Sequence, residues 1–529
     1  MPRPGFVLDV DRSTPPTLFW RGENFSLEKL PADRTRIIYP PEPLPGLDDV
    51  DGHIRDALLN PLDMEPLPAL LKPDMKLTIC FDDSSLSLPK MRRPDNRQRI
   101  IEAVLDLAAA AGVDDIHIIA ALGLHRRMHD YELRHVLGDR IFDAFHPRGM
   151  LYQHDAEDPD NLAVIGTTDE GEVLEINKRV ADSDLVVYAN VNQVSMDGGW
   201  KSIVTGMASY RCLSVHHNPS TLQNTRSLMG HRDHSALHKS IWRLGKILRD
   251  QGPKIFQIET TINNNSFPDT FGFLNKREWE WTAKDRALFL ATQKSLNRTP
   301  ARLARKIFHS IEAPYEMTGV HAGFTPSVHE RTLAKCEEQY IVPVEGQSDI
   351  LTMGIPFICP YNPEGVMNPI LVMCMGLGYM FNMYRGKPLV REGGVIIMTH
   401  PTYKDFNPVH HPSYIDFFDE VLADTTDPAV MSEKWERKYA EDEWYRHLYR
   451  TGNAYHGVHP FYAWYWGAHG QQWAGKVVVV GGEPANVRRL GFTPASTMDD
   501  AFEIATDVVG RSPTITHLHV PSVLVAEVS

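Results

Sequence analysis

Three short β-prone runs each end in polar side chains of the kinds that bind ligands and move protons. After 76–81 (KLTICF) come Asp82, Asp83, Ser84 and Ser85; after 115–123 (DIHIIAALG) come Leu124, His125, Arg126 and Arg127. After 184–190 (DLVVYAN) come Val191, Asn192 and Gln193, then Gly198, Gly199, Trp200, Lys201 and Ser202. A carboxylate, an imidazole and an amine in a glycine-rich turn are the groups needed to anchor a small molecule and do general acid–base chemistry on it. Each also has a plainer reading. Asp82 and Asp83 suit the cap of a following helix, and an isolated histidine is more often hydrogen-bonded scaffold than base. The 198–202 turn lacks the GxxxxGK[ST] spacing of a phosphate loop, so it is a weak nucleotide signal. His216 and His217 have no cysteine or carboxylate at a zinc spacing, and zinc hydrolase chemistry is not indicated.

These residues meet only on a scaffold that gathers strand ends. Between the first two strand runs, 96–111 places Ile100, Ile101, Val104, Leu105 and Leu107 at helical spacing and stops at Gly112; 130–137 is a second helical stretch. Strand–helix–strand alternation predicts right-handed βαβ units and a mostly parallel sheet. Four further strand runs, at 349–354, 394–400, 476–482 and 516–521, with a helix at 498–509, predict a second such unit. The fold class expected is therefore α/β, two domains with the active site in the cleft between them. The division expected is 1–262 (with 1–70 an irregular, Pro-rich lead-in), an insertion at 263–314, and 315–529.

Composition is that of an ordinary soluble globular protein. The chain has 529 residues, 42% apolar and 23% charged, enough for several domains of about 150 residues each. The formal charge, 54 − 68 = −14, with no Lys/Arg-dense segment, argues against nucleic acid as a partner. The apolar run at 369–381 is shorter than the roughly 20 residues of a membrane span and reads as a buried element. The N-terminus, MPRPGFVLDVDRSTPP, carries no export signal. Five cysteines, odd in number and without a CxxC pair, fit a reducing cytoplasm.

Taken together, these segments resemble the lactate racemase family. The resemblance rests on 83–94, ALGLHRRM, YQHDAEDPDNLAVIGTTDEGEVLEINKRVADSDLVV and GGWKSIVTGMASY through His217. It continues in GVHAGFTPSVHERTLAKCEEQYIVPVEGQSDILTMG, EGGVIIMTHP and STMDDAFEIATDVVGRSPTITHLHVP. It covers about 70–260 and 315–525. The resemblance implies an isomerase acting on 2-hydroxy acids with a nickel-pincer nucleotide, Ni(II) pyridinium-3,5-bisthiocarboxylic acid mononucleotide, delivered by cofactor-assembly enzymes. Lys201 stands where the family lysine holds this cofactor through a thioamide, with Gly198, Gly199, Ser84, Ser85 and Arg93 as further cofactor contacts. His217, sixteen residues after Lys201, stands where the family's nickel-binding imidazole falls. Soft sulfur donors with one imidazole suit Ni(II). His125 matches the histidine that takes the hydroxyl proton, with Asp83 and Asn192 as catalytic neighbours.

Three departures from the family pattern alter the expected substrate. The second histidine, about ten residues before the lysine, is replaced near Val191, leaving Asn190, Asn192 and Gln193 as the polar residues there. The Asp-x-Thr-Arg-Pro motif reads Asp83-Ser84-Ser85-Leu86 and has lost its arginine, for which Arg92, Arg93 or Arg97 could substitute. The family's substrate-contacting Gln and Lys should fall at 368–375, which reads NPILVMCM. The expectation is a racemase or epimerase of a 2-hydroxy acid other than lactate, in a pocket enlarged by the insertion and lined by His400, Tyr403 and the aromatic run 461–466. The plainer reading of that run is an aromatic core. His154 with Asp155 reads as a structural turn or a cofactor contact, and His447, His456, His459 and His469 as surface or pocket wall. A different net reaction with the same cofactor, redox or dehydration, or a non-catalytic cofactor-binding protein, are the alternatives.

Overall fold

The computed structural model describes residues 6–225, 227, 235–520 and 523–529; the first five residues of the stretch read for an export signal, and Pro521 at the end of the last strand run, lie outside them. Two mostly parallel sheets organise the chain, as its alternation predicts. The first runs Met317–Gly323, Lys254–Ile262, Leu185–Asn192, Lys76–Asp82, Asp115–Ala121, Leu151–Gln153, every neighbouring pair parallel except the first. Leu77, Ile79 and Phe81 of the central strand pack into one apolar cluster and Cys80 into another, so the strand is buried on both faces. The helix Asn96–Ala110 buries Ile100, Ile101 and Val104 on one of those faces. Its N-cap is Asp95, whose carboxylate accepts from the Arg97 N–H at 2.9 Å. The chain leaves strand Lys76–Asp82 toward one side of the sheet and later returns on the other side at Leu185–Asn192. The loops after these two strands therefore diverge, and in an open parallel sheet such a switch point opens a crevice.

The second sheet runs Val7–Asp9, Thr35–Ile38, Ile515–Leu518, Ser348–Pro356, Val390–Thr399, Lys476–Val480, Thr493–Ala495, parallel apart from its first pair. The expected irregular lead-in at 1–70 differs here: its strands complete this second sheet, with Thr35 opposite Ile515. These strands are only three to six residues long and broken by prolines, too short for periodicity to emerge. Conversely Met317–Gly323, expected to open the second domain, pairs with Lys254–Ile262 of the first sheet. The 263–314 segment forms the helices Ala283–Leu296 and Ala301–His309. It contributes Phe267, Phe273, Phe289 and Phe308 to an aromatic cluster around Trp20 and Phe25. The apolar run at 369–381 is buried, as read: a helix Pro369–Met373 continues into a wider turn at Cys374–Met380. Among the described residues no helix is long and apolar enough to cross a membrane. All five cysteines are buried and free.

Trp20 is fully buried, 5.5 Å from the Phe308 ring and 5.7 Å from Phe25, and so joins the N-terminal hairpin to the insertion. Trp20→Ala is expected to cost about 3–5 kcal/mol, read as a lower urea midpoint; an unchanged midpoint would mean that this cluster does not hold the two segments together.

Candidate active site

The crevice at the switch point is a cleft of about 790 Å³, counting the part open to solvent, lined by Asp82, Asp83, Ser85, His125, Asn190, Gly198, Lys201 and His217 from the first sheet's loops. Tyr361, His459, Tyr462, Ala463 and Trp466 close it from the second half. The size suits a small molecule.

Asp82 is the buried base of the site. Its Oδ2 accepts from Asn190 Nδ2 (2.6 Å) and the Val191 N–H (2.7 Å), and its Oδ1 from the Tyr188 hydroxyl (3.1 Å). Burial pushes its pKa up to about 7, against the pull of those donors and of Arg97. Asn190 passes the link on: its Oδ1 accepts from Ser202 Oγ at 2.6 Å and Gln257 Nε2 at 3.0 Å. The residue after the site lysine is thereby fixed to the strand end. Arg97, one of the guanidiniums considered for an anion, is consumed internally. It makes a two-pronged pair with Asp95 and donates to the carbonyls of Asp82 (2.9 Å) and Asp83 (2.6 Å).

Asp83 faces the cleft. Its Oδ2 lies 2.8 Å from His125 Nδ1, and its Oδ1 accepts from the Ser85 N–H and hydroxyl. Burial alone would raise this carboxyl, but the facing imidazole and the Ser85 donors outweigh it and hold it below the usual range. An ionised Asp83 accepts the Nδ1–H of His125, which directs Nε2 and its lone pair away from Asp83; this is the orientation a base needs. The loop carrying His125 is held from the other half: the Tyr449 hydroxyl donates to Gly123 O at 2.8 Å, and the His456 N–H to Leu124 O.

Lys201 opens the short helix Lys201–Val204 behind two left-handed glycines, Gly198 (φ 82°) and Gly199 (φ 63°). A Cβ on Gly198 would lie 2.6 Å from both Asn192 Nδ2 and Glu259 Oε1, so only glycine fits this approach. The Gly199 N–H donates to the fully buried Glu259 at 2.6 Å. Lys201 Nζ donates to Met196 O at 3.2 Å and lies on the cleft wall. His217 sits against His216, Tyr462 and Trp466, with ring centroids at 4.8, 5.4 and 5.7 Å. Its Nδ1 is buried without a partner among the described residues. Burial, then the neighbouring His216, Lys201 and His125, hold it well below the ordinary histidine range, so it is a neutral imidazole, the form that ligates a metal.

The fold thus brings Asp83, Ser85, His125, Gly198, Lys201 and His217 to one cleft. Gly199 supports its floor. Four expectations fall elsewhere. Asn192 is fully buried and donates to Asp197 O at 2.7 Å, tethering the glycine turn instead of reaching a substrate. Ser84 lines a neighbouring cavity, and Arg93 pairs with Asp139 on the surface. The cleft is not enlarged by the insertion, which contributes none of its lining, and His400 lies outside it, accepting from the Thr402 N–H at 2.9 Å. The aromatic run is both of its readings at once. On the helix His459–Trp473, positions 459, 462, 463 and 466 face the cleft at helical spacing, whereas Phe461 and Trp464 pack on Phe417 and Tyr465 donates to Glu436. Asp155 is bound by Arg450 and His154 by the Ala208 carbonyl, which makes that turn part of the seam between the halves. His459, read as surface or pocket wall, lies on the wall, its Nδ1 2.6 Å from the Tyr414 hydroxyl. Glu259 was not legible as a site residue.

Among the described residues no three His, Cys, Asp or Glu side chains converge as a metal cage. With the described residues alone, a metal at His217 would need a cofactor to bring the other donors, and the amine of Lys201 on the same wall is a group that can tether one. Lys201 is the one Lys or Arg among the described lining residues.

Residues 22–230 match the model of the lactate racemase N-terminal domain. The chain is similar to lactate racemases of Thermoanaerobacterium thermosaccharolyticum (24% identical over 193 residues) and Lactiplantibacillus plantarum (24% over 194); each alignment spans 36% of this chain and 43% of the relative, under half its length. In fold, the chain is similar to the T. thermosaccharolyticum lactate racemase apoprotein over 97% of this chain and 99% of that one, with TM-score 0.63 and 17% identity. It is also similar to a Thermotoga maritima protein over 93% and 100%, with TM-score 0.51 and 14% identity.

A carboxyl whose pKa is higher folded than unfolded, about 7 for Asp82 against about 3.9, contributes fully to stability below the unfolded value and loses that contribution as pH rises through the folded one. Asp82→Asn carries no such proton. Its urea midpoint is expected to fall less than the wild type's between about pH 5 and about pH 8; parallel declines would show that another group titrates there.

Proposed function

Starting from a chain that is a divergent, longer relative of the lactate racemases, we propose that it is a racemase or epimerase of a 2-hydroxy acid bulkier than lactate, working with a nickel-pincer nucleotide held on Lys201. The observation that carries this reading is the convergence of Lys201, His217 and His125 on one cleft at the switch point. When bound, such a cofactor supplies reversible hydride acceptance.

The chain's own residues do the rest. Lys201 is the covalent anchor, positioned by the glycine turn that Glu259 and Asn192 hold. His217 would offer one neutral imidazole to the metal, with the remaining donors supplied by the cofactor. His125 takes the hydroxyl proton at Nε2, and the ionised Asp83 stabilises the imidazolium that forms. Carbonyl and carbinol stages are shielded from water by Tyr361, Tyr462 and Trp466. These rings favour an acid with a larger apolar substituent. The described lining residues include no guanidinium, and among them imidazole and phenol donors are the groups that receive the substrate carboxylate. The enzymes that assemble the cofactor are the expected partners, in a cytoplasmic setting.

Intact-mass analysis of protein produced together with the cofactor-assembly enzymes is expected to show a covalent adduct with equimolar nickel, lost in Lys201→Ala; an unmodified wild-type mass would end this reading. With (R)- and (S)-lactate, 2-hydroxybutyrate and mandelate in deuterated buffer, the loaded protein should invert at least one acid with the C2 hydrogen retained. His125→Asn should lower kcat about 10²–10⁴-fold and Asp83→Asn by less. Net formation of 2-keto acid without inversion would favour an oxidoreductase instead.

A further inference from the structure

We infer that His459 is a second proton-transfer residue, serving the enantiomer whose hydroxyl points toward the C-terminal wall of the cleft while His125 serves the other; this rests on the function proposed above. Inversion at a carbinol carbon requires that its hydroxyl proton be handled in two positions, because the oxygen of the two enantiomers cannot occupy one place when the carboxylate and the departing hydrogen are held fixed. Of the two imidazoles that the first-sheet loops bring to the cleft, His217 has the metal role in the proposed function, which leaves His125 for proton transfer. At the end of strand Leu185–Asn192, Val191 is fully buried, Asn190 bonds Asp82 and Ser202, and the Asn192 amide donates to Asp197.

His459 enters from the other half of the molecule. Its ring centroid is 5.5 Å from that of His125, at 73°, and both rings lie against Tyr361 (4.6 and 5.3 Å) and Tyr455 (4.5 and 6.0 Å). Nδ1 is engaged by the Tyr414 hydroxyl, which leaves Nε2 for the cleft that the residue lines. The two imidazoles are held by different partners. A carboxylate only accepts, whereas a phenol hydroxyl donates or accepts by rotating. His459 can therefore present Nε2 as a lone pair or as an N–H, and pass between the two as the proton moves.

In the step assigned to it, the substrate O–H breaks and its proton bonds to Nε2. The O–H electron pair becomes the second C–O bond, and the cofactor of the proposed function, when bound, would supply the acceptor for the C2 hydrogen with its C–H pair. Return of the hydride after the 2-keto acid has turned over draws its proton from His125, so atoms and electrons balance over one inversion.

The test uses cofactor-loaded wild type, His459→Asn and Tyr414→Phe with each enantiomer of lactate, 2-hydroxybutyrate and mandelate. For His459→Asn, steady-state inversion is expected to fall about 10²–10⁴-fold in both directions. In single turnovers, enzyme-bound 2-keto acid should still form from one enantiomer at near wild-type rate and be lost from the other. Tyr414→Phe, which keeps the imidazole and removes its partner, should give a smaller loss with the same enantiomer bias. Calorimetry on cofactor-free His459→Asn should show weakened binding of that same enantiomer only. Equal losses for both enantiomers would assign His459 a structural role and overturn the inference, as would unchanged inversion. Should the wild type carry the adduct yet convert none of the acids in either assay, the proposed function itself fails and this inference with it.

Discussion

A buried carboxyl at the end of a central strand sets the whole site. Asp82 lies where two neighbouring strands send their chains in opposite directions, largely buried at the floor of the cleft, and it finds its donors within the protein. It finds them on the adjacent strand, at Asn190, the Val191 amide and Tyr188, and Asn190 in turn holds Ser202. Because Ser202 follows Lys201, this line of hydrogen bonds places the amine. Because Asp83 follows Asp82, the same anchor places the carboxylate that orients His125. Arg97, pinned by Asp95, grips the two intervening carbonyls and keeps the strand end from fraying. One buried polar group thus positions both the amine of Lys201 and the imidazole of His125.

The second half of the molecule contributes a wall and a clamp. Tyr449 and His456 hold the backbone of the His125 loop, and His456 pairs with Glu157 while Arg450 pairs with Asp155 and Asp158. The acidic turn 155–158 and the basic face of Glu443–Thr451 meet as complementary charges along the edge of the cleft, partly shielded from solvent, where ion pairs are worth more than on an open surface. The helix His459–Trp473 then divides its aromatic residues between the cleft and the core, so the shape of the site and the stability of the second half depend on the same element. A substitution at the cleft-facing positions would change specificity, whereas one at Phe461 or Trp464 would disturb packing first.

The two histidines that face each other across the cleft illustrate how one side chain takes different chemistry from its partner. His125 faces a carboxylate held ionised by its own donors. His459 faces a phenol, and burial together with nearby imidazoles keeps it well below the ordinary range.

Much of this was already written in the linear order of residues. Runs of Leu, Ile and Val ending in Asp, His or Asn identify strands of a parallel sheet. The polar groups just beyond those ends are the site, because backbone direction alone sends every such loop to one edge. Gly198 and Gly199 announced a tight turn before Lys201 for the same local reason. What folding alone decided were relations between distant segments. The short strands of 7–38 belong to the far sheet, the aromatic insertion packs on Trp20 and leaves the cleft untouched, and Asn192, Ser84 and Arg93 turn away to other partners. Above all, His459 reaches His125 from the other end of the chain. Periodicity and strand ends report forces acting within a few residues, whereas these meetings are set by which buried faces cover one another, and that is settled only when the whole chain packs.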